Sequence, residues 1–397
     1  MAALMTNDRD NTDKVVRFIN EAKDMDIEVL PPDVNESQLD FSVTDGKIRF
    51  GLAAIKGVGA GVIEVIIEAR EDGPFKSLYD FCARVDLKKI NKRTIEALVK
   101  CGAFDSVGPR AGSTYIGDHC EARARMFAAI PMAVDRGQKA QHDKAVGQSS
   151  LFGMLAPAAR DEALEDTYPE VEAWSDRELL KLERTLIGFY VTGHPLDRFE
   201  DEISLYGVTS TSDITYCRGL RHRDEVTIAG VVSEYRERPL KLGNGRMAFL
   251  TLEDKHGQCE VLVFSSAFDA NEEALKCNEP ILIKGQYTEE GDLDARVGKV
   301  RTAEVTRLLE ARKRYVRKVT VDIQASELTN GELKRVKNAL KEHPGDCRTM
   351  LILEVDHEYG RGRAEMVLPE EFWVEPSDGL LTSLERIFRR KVVRLSS

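Results

Sequence analysis

The chain has 397 residues, of which 42% are hydrophobic and 31% charged, and it carries a formal net charge of −11. That length supports two to four separate cores rather than one, and the acidic total excludes a protein that coats nucleic acid over its whole surface while leaving room for local basic faces. No run of about 18 uncharged apolar residues occurs, and the opening Met1-Ala2-Ala3-Leu4-Met5-Thr6-Asn7-Asp8 lacks the basic-then-apolar order of a signal peptide, so a cytoplasmic protein without a membrane partner is expected.

In chain order, the first helix is expected from about Asp13 to Asp24, with Thr12 as N-cap and Val15, Phe18, Ile19 and Ala22 on or near one face. Pro31-Pro32 stops it short of a hairpin over Phe41 to Phe50 that turns at Asp45-Gly46. A glycine-punctuated segment, Gly51 to Gly61, then enters a helix over Val62 to Arg70, which ends before Gly73-Pro74. Short helices are expected over Leu78 to Arg84 and over Lys92 to Lys100, the second opened by Asn91 and closed at Gly102. Residues from about Thr114 to Val146 are helical in pattern with an interruption at Pro131, and a Pro/Ala-rich linker follows residue 155. Ser175, paired with Glu178 in a capping box, starts a helix that reaches about Leu186.

The period then changes from helix to strand. Five β-rich runs, Val226 to Tyr235, Met247 to Glu253, Gln258 to Phe264, Ile281 to Tyr287 and Leu293 to Thr302, are separated by turn signals at Gly243-Asn244-Gly245, His256-Gly257 and Gly291-Asp292. One helix, about Ser266 to Lys276, lies between the third and fourth. That order is the order of an OB-fold, a small Greek-key barrel. The end of the chain alternates as strand Val319 to Ile323, helix Asn330 to Lys341, strands Met350 to Asp356 and Arg363 to Leu368, and helix Ser377 to Arg390, a small α+β module. The fold class expected is therefore multidomain: a mainly α first half, a β-barrel, and a small α+β C-terminal domain.

Lys56-Gly57-Val58-Gly59, with Gly61 just beyond, lies between two short helices. Glycines there let backbone N–H groups at the second helix's N-terminus face an anion such as DNA phosphate; the alternative use is a tight turn that needs glycine for its φ angles alone. A second helix and glycine turn, closing at Gly102, follows at short distance behind Lys88, Lys89, Lys92 and Arg93. Two such hairpins in tandem would grip duplex backbones without reading sequence. Basic clusters also occur at Arg84 to Arg93, Arg312 to Lys318 and Arg386 to Arg394, although most charge runs are solvated faces.

Gln148-Ser149-Ser150-Leu151-Phe152 follows a helix and precedes the linker, so two large apolar side chains are presented with little core to join. Either they fold back onto their own helix, or they form a linear docking motif whose burial in a partner yields roughly 3 to 6 kcal/mol before ordering costs. The barrel offers Tyr235, Phe249, Phe264, Phe268 and Tyr287 beside Arg236, Arg238, Lys241, Arg246 and Lys255. Strand alternation sends some of these aromatics to the core and leaves others for base stacking on single strands. Catalytic signatures are lacking: there is no Gly-x-Ser-x-Gly, P-loop or His-Glu-x-x-His. His119-Cys120 has no third partner, Asp8-Arg9-Asp10 reads as a solvated helix entry, and the seven scattered cysteines, never in a C-x-x-C pair, read as reduced structural residues.

Ile48-Arg49-Phe50-Gly51-Leu52-Ala53-Ala54-Ile55-Lys56-Gly57-Val58-Gly59, Gly73-Pro74-Phe75-Lys76-Ser77-Leu78-Tyr79-Asp80-Phe81, Asn91-Lys92-Arg93 through Gly102-Ala103-Phe104-Asp105, and Gly188-Phe189-Tyr190-Val191-Thr192-Gly193-His194-Pro195-Leu196-Asp197 together resemble the alpha subunit of bacterial DNA polymerase III, collinearly over essentially the whole chain. The resemblance implies the end of the fingers region (1–48), tandem helix-hairpin-helix motifs (49–110), a helix with a sliding-clamp-binding motif (111–160), a helical connector (161–217), an OB-fold (218–310) and a C-terminal domain that contacts the clamp loader's tau subunit (311–397). Gln148, Leu151 and Phe152 match the Gln, aliphatic and Phe positions of that clamp motif. The family's palm, with its metal-binding aspartates, precedes everything in this sequence, so the resemblance assigns Mg2+, nucleotidyl transfer and catalytic residues elsewhere and casts the chain as part of a longer polymerase. A free-standing DNA-binding or clamp adaptor is the competing expectation. For the barrel alone, an RNA-binding module like those appended to tRNA synthetases is a third, which the tandem hairpins disfavour.

Overall fold

The computed structural model describes residues 1–9, 11–145, 166–239, 246–276, 279–290, 297–357 and 360–397. The chain divides into two compact units, Met1–Gly193 and His194–Ser397.

The first unit is mainly helical. It opens with helices α1 (Ala2–Asn7) and α2 (Thr12–Asp24). Asn11 Oδ1 accepts the Lys14 N–H at 3.2 Å, so the cap of α2 falls one residue before the Thr12 expected. Strands β1 (Val29–Leu30), β2 (Ser42–Thr44) and β3 (Lys47–Arg49) form a small sheet in the order β1-β3-β2. The hairpin turns where expected, with φ of 50° at Asp45 and 78° at Gly46, the paired positive angles that match a two-residue turn to strand twist.

Four helices follow: α3 (Ala60–Arg70), α4 (Leu78–Arg84), α5 (Lys92–Lys100) and α6 (Ile116–Ala145). Ser77 caps α4 and Asn91 caps α5, each accepting the N–H three residues on. The α6 helix runs unbroken through Pro131, contrary to the expected interruption. A proline inside a helix costs about 3 kcal/mol, but here its ring is exposed while Met126, Ala129, Ile130 and Ala133 around it are fully buried. Packing of that apolar stripe outweighs one lost hydrogen bond. Further along α6, Gln141 Nε2 donates to the carbonyls of Val85 at 2.6 Å and Cys82 at 3.1 Å, holding the helix against the end of α4. Helix α7 (Asp176–Ile187) begins at Ser175, whose hydroxyl accepts the Glu178 N–H at 3.2 Å, and it stops at Gly188 with φ 88°. The core of the unit is built on Phe50, Phe75, Phe81, Leu98 and Phe104, with Phe81 edge-on to both Phe75 and Phe104 at 5.0 Å.

The second unit begins with helices α8 (Glu200–Leu205) and α9 (Thr211–Thr215). Strands β4 (Glu225–Pro239), β5 (Arg246–Glu253), β6 (Gln258–Val263), β7 (Ile281–Glu290) and β8 (Val297–Arg307) close a barrel in the order β4-β5-β6-β8-β7, with β6 and β8 parallel and helix α10 (Ser265–Lys276) between β6 and β7. This is the Greek-key OB barrel expected; its fifth strand continues past the expected Thr302 to Arg307, and residues 293–296 of the expected run lie outside the described residues. Inward alternation fills it with Ile228, Leu250, Leu252, Val261, Ile283 and Val300.

Helix α11 (Leu308–Tyr315) leads into a four-stranded sheet, order β11-β10-β9-β12, made of β9 (Lys318–Gln324), β10 (Pro344–His357), β11 (Gly360–Val367) and β12 (Val393–Ser396). Helices α12 (Asn330–Glu342) and α13 (Asp378–Phe388) share its core through Val336, Leu340, Leu380 and Leu384. The multidomain description therefore holds: a helical unit with hairpins, a barrel, and an α+β end.

Candidate nucleic-acid interface

The glycine turn before α3 is held from below and open from above. Val58 is buried, with its N–H on the Ile55 carbonyl at 3.1 Å, and the Lys56 N–H donates to Leu186 O at 2.8 Å. Gly57 has φ 88°, a conformation open to glycine at little cost. Gly59 is the N-cap residue of α3 and supplies no side-chain cap. Space above Gly57, Gly59 and Gly61 is open, since an added Cβ at any of them meets nothing within 4 Å. Among the described residues no acceptor serves the N–H groups of Gly57, Gly59, Ala60 and Gly61. A helix start with free amides and positive dipole charge favours an anion.

The second turn behaves differently on its two sides. Before α5 and in its first turn, Lys88, Lys89, Lys92 and Arg93 are all exposed. Lys92 lies 3.9 Å from Glu96, while among the described residues Lys56, Lys88, Lys89 and Arg93 have no carboxylate within ion-pair distance. After α5, Gly102 does not reach the surface. Its N–H bonds Val99 O at 3.2 Å, and a Cβ there would collide with the Arg123 guanidinium, so its φ of 85° closes the helix beneath a buried ion cluster. That removes Gly102 from the expected phosphate-facing set. Arg84 is likewise internal to its own loop, donating to the carbonyls of Ala69 and Gly73 at 2.6 Å each and lying 4.7 Å above the Phe75 ring.

The cluster over Gly102 is structural. Arg123, fully buried, donates to Asp105 at 2.7 Å, to Glu183 at 2.8 Å and to Thr192 Oγ1 at 2.8 Å. Glu183 in turn accepts the N–H groups of Val191 at 2.8 Å and Thr192 at 3.1 Å, which explains why the Gly188–Gly193 string wraps this carboxylate. Burial alone would raise the Asp105 pKa, but Arg123 and His119 outweigh it and hold the carboxyl below its usual range. His119 is spent on Asp105 at 3.0 Å and Cys120 lies 3.6 Å from Asp176, so the adjacent pair faces two different carboxylates. At the other end of the unit, Asp8 accepts from Lys14 at 2.7 Å, Arg9 pairs with Asp40, and Asp10 lies outside the described residues.

On the barrel, alternation decides which aromatics are free. Phe268 and Tyr287 are core. Tyr235 is half-buried against the core, its hydroxyl donating to Glu237 at 3.1 Å. Phe249 points outward between its strand partners Arg236 and Leu262, with the Arg238 guanidinium 5.3 Å from its ring. Phe264 carries Arg301 at 4.9 Å. Leu262 pairs with Arg301 across the parallel β6–β8 contact, which brings Arg301 onto the same face. Sequence reasoning missed Arg301 because only that fifth-strand register places it there.

Three basic candidates are paired with carboxylates. Arg246 is held by Glu237 at 3.1 Å and Glu272 at 3.0 Å, and Arg236 by Glu234 at 2.9 Å. Lys255 is paired with Asp197 at 2.6 Å, and Lys241 lies outside the described residues. Some cations of the later clusters are paired with carboxylates as well. Arg312 is fully buried on Glu202 and Asp378, Arg390 binds Glu327 at 2.7 Å, and Arg394 pairs with Asp322. On the first unit there remain the free amides at Gly57–Gly61 and the cations around the start of α5; on the second, by itself, an outer barrel face of Phe249, Leu262 and Phe264 beside Arg238 and Arg301. Free helix-start amides with exposed cations are the chemistry that suits phosphate, and outward aromatics beside arginines the chemistry that suits base stacking.

Gln148, Ser149, Ser150, Leu151 and Phe152 lie outside the described residues. Among the described residues, no group of three or more His, Cys, Asp or Glu is arranged to hold a metal ion, and no helix is long and apolar enough to cross a membrane.

Comparison with known proteins agrees with this geometry. Residues 26–112 match the helix-hairpin-helix motif family, and residues 226–294 match the family described as an OB-fold nucleic acid binding domain. The chain is 36% identical over 397 residues to DNA polymerase III subunit alpha of Vibrio cholerae serotype O1, covering 100% of this chain and 32% of that protein. It is 34% identical over 409 residues to the same subunit of Pseudomonas fluorescens, covering 100% and 33%. With that of Escherichia coli K12 it shares 34% over 398 residues, covering 100% and 32%. The chain spans about a third of the length of these relatives and matches their C-terminal part.

Proposed function

We propose, for a chain that belongs with the DNA polymerase III alpha subunits and matches their C-terminal part, a DNA-holding role in replication. The helical unit grips duplex backbone through the Gly57–Gly61 amides and Lys56, Lys88, Lys89, Lys92 and Arg93. The barrel holds single-stranded template on Phe249 and Phe264 with Arg238 and Arg301. Nothing in this set reads base edges, so binding is sequence-independent, strongly salt-dependent and suited to a template that slides. The observation that carries the reading is the coexistence of unpaired cations and free helix-start amides on one unit with an open aromatic face on an OB barrel of the other.

Tethering completes the role. Gln148, Leu151 and Phe152 dock the sliding clamp, the α+β end meets the clamp loader's tau subunit, and the remainder of the polymerase, with its Mg2+, performs nucleotidyl transfer. The motif match and the apolar pair at 151–152 support the clamp contact; its modest burial energy gains from tethering at the other sites. No bond-making step is given to residues of this chain. The test is fluorescence anisotropy of the full chain with duplex and with oligo-dT. Lys88→Ala/Lys89→Ala/Arg93→Ala should lower the salt slope for duplex by about 3, and Phe249→Ala/Arg238→Ala should weaken single-strand binding by about 1 to 3 kcal/mol. Unchanged binding in both would refute the role. Co-purification with sliding clamp, lost in Leu151→Ala/Phe152→Ala, checks the tether.

A further inference from the structure

The segment between α9 and β4 carries an aromatic and a run of cations that no part of the proposed grip uses. Tyr216 is 60% exposed. Arg218, Arg221, His222 and Arg223 follow it, all exposed. The Arg218 guanidinium lies 5.3 Å from the Tyr216 ring centroid, with Asp213 at the limit of ion-pair distance, 4.0 Å. Among the described residues the side chains of Arg221, His222 and Arg223 have no hydrogen-bond or ion-pair partner. Elsewhere on this unit exposed cations are of both kinds: Arg246, Lys276, Lys391 and Arg394 are paired with carboxylates, whereas among the described residues Arg238, Lys284 and Lys334 have no ion-pair partner.

The backbone of this segment is fixed to the barrel. Thr215 Oγ1 donates to Gln258 O at 2.6 Å, at the start of β6. Gly298, near the start of β8, lies so close to the Ile214 carbonyl that a Cβ would collide with it. The Arg223 N–H donates to Tyr287 O, and the Tyr287 N–H to Asp224 O, each at 2.9 Å on β7. Arg221 N–H is held by the Asp224 carboxylate at 2.8 Å. These contacts keep Cys217 at φ 56° and Arg223 at φ 74°, a left-handed conformation that costs a side-chain-bearing residue energy and persists where the surroundings impose it. The cations are therefore displayed on a preset scaffold. Its anchor at Gln258 lies four residues along β6 from Leu262 of the stacking face, about 13 Å at strand rise.

We propose that Tyr216, Arg218, Arg221 and Arg223 form a second single-strand subsite that continues the barrel face: Tyr216 stacks a base and the arginines contact the flanking phosphates. The inference rests on the barrel binding single strands. A strand long enough to cross Phe249 and reach the start of β6 gains this subsite, whereas a short one does not.

The test uses the full chain with labelled oligo-dT of roughly 6 and 15 nucleotides, bracketing the site sizes of OB folds. Wild type should bind the longer strand more tightly. Tyr216→Ala/Arg221→Ala/Arg223→Ala should lose roughly tenfold of that gain while binding the short strand unchanged, and Tyr216→Phe should retain it. Phe249→Ala/Arg238→Ala should weaken both lengths. A full length gain in the triple variant, with Phe249→Ala/Arg238→Ala still weakened, overturns the subsite and leaves the barrel reading standing. Unchanged binding in every variant overturns both. As a positional check, Tyr216→Trp should show indole fluorescence quenched by the longer strand, and no quenching at saturation overturns the stacking role.

Discussion

Replacing Gly59 by Asp separates stability from DNA binding, because the two respond with opposite signs. Gly59 is an N-cap residue in the extended region, φ −81° and ψ 154°, with open space where a Cβ would go. An Asp there caps α3 and places a negative charge at the positive end of the helix, together worth about 0.5 to 1 kcal/mol in favour of folding. The same carboxylate would occupy the place proposed for a phosphate. At about 7 Å and an effective dielectric near 20, the repulsion is about 2 kcal/mol, roughly 30-fold in affinity. Gly59→Asn supplies the cap without the charge and serves as the control. Urea denaturation should show Gly59→Asp at least as stable as wild type, while anisotropy at low salt shows weaker duplex binding that recovers relative to wild type as salt shortens the screening length. A variant that is stabilised and binds duplex within twofold of wild type at every salt concentration would refute the idea that these amides face DNA.

Arg123→Leu leaves Asp105 and Glu183 buried without their cation and should cost about 3 to 5 kcal/mol in a urea titration. Gly102→Ala, forced against Arg123 at φ 85°, should also lower the urea midpoint, yet leave the salt slope of duplex binding unchanged at temperatures where it is folded. Burial pushes the His194 imidazole down to about 4, so as pH falls the unfolded chain takes up the proton first. The stability that neutral His194 contributes is thus complete above about 6.5 and is lost progressively towards 4, by about 3 kcal/mol at most; a urea midpoint that falls over this range in wild type and stays flatter in His194→Gln is the expected result.

Local chemistry made much of the fold legible. Asn91 and Ser175 sit at helix starts because their side chains replace missing acceptors, and Asp45-Gly46 turns a hairpin because both residues tolerate positive φ; each is a short-range rule with little competition. Pro131 misled for the complementary reason, since the packing of Ile130 and Ala133 against distant residues is invisible to a local pattern. The site divides the same way. Gly57 and Gly59 could be found from spacing, whereas Gly102, identical in kind, is a packing glycine because Arg123, 21 residues later in sequence, closes over it. The clusters at 312–318 and 386–394 read as basic surface, but Arg312 is buried on Glu202 while Arg390 and Arg394 pair with Glu327 and Asp322, and charge along a sequence carries no record of its partners across space. The face formed by Phe249, Leu262 and Arg301 depends on a parallel strand register, which turn signals do not encode.

The buried Arg312 has an implication for how this polypeptide can be cut and recombined. It sits in α11, which straddles the 310/311 boundary implied by the family resemblance, and it joins Glu202 on one side of the barrel in sequence to Asp378 on the other. A fragment running from His194 to residue 310 would keep Glu202, buried next to Phe199 and Leu196 in sequence, but lose its Arg312 cation. Genetic exchange of the barrel between relatives would therefore succeed when the connector helix, the barrel and α11 with its α13 carboxylate travel as one inheritance block, and a chimaera that trades the barrel strands alone should fold poorly even where every strand is well matched.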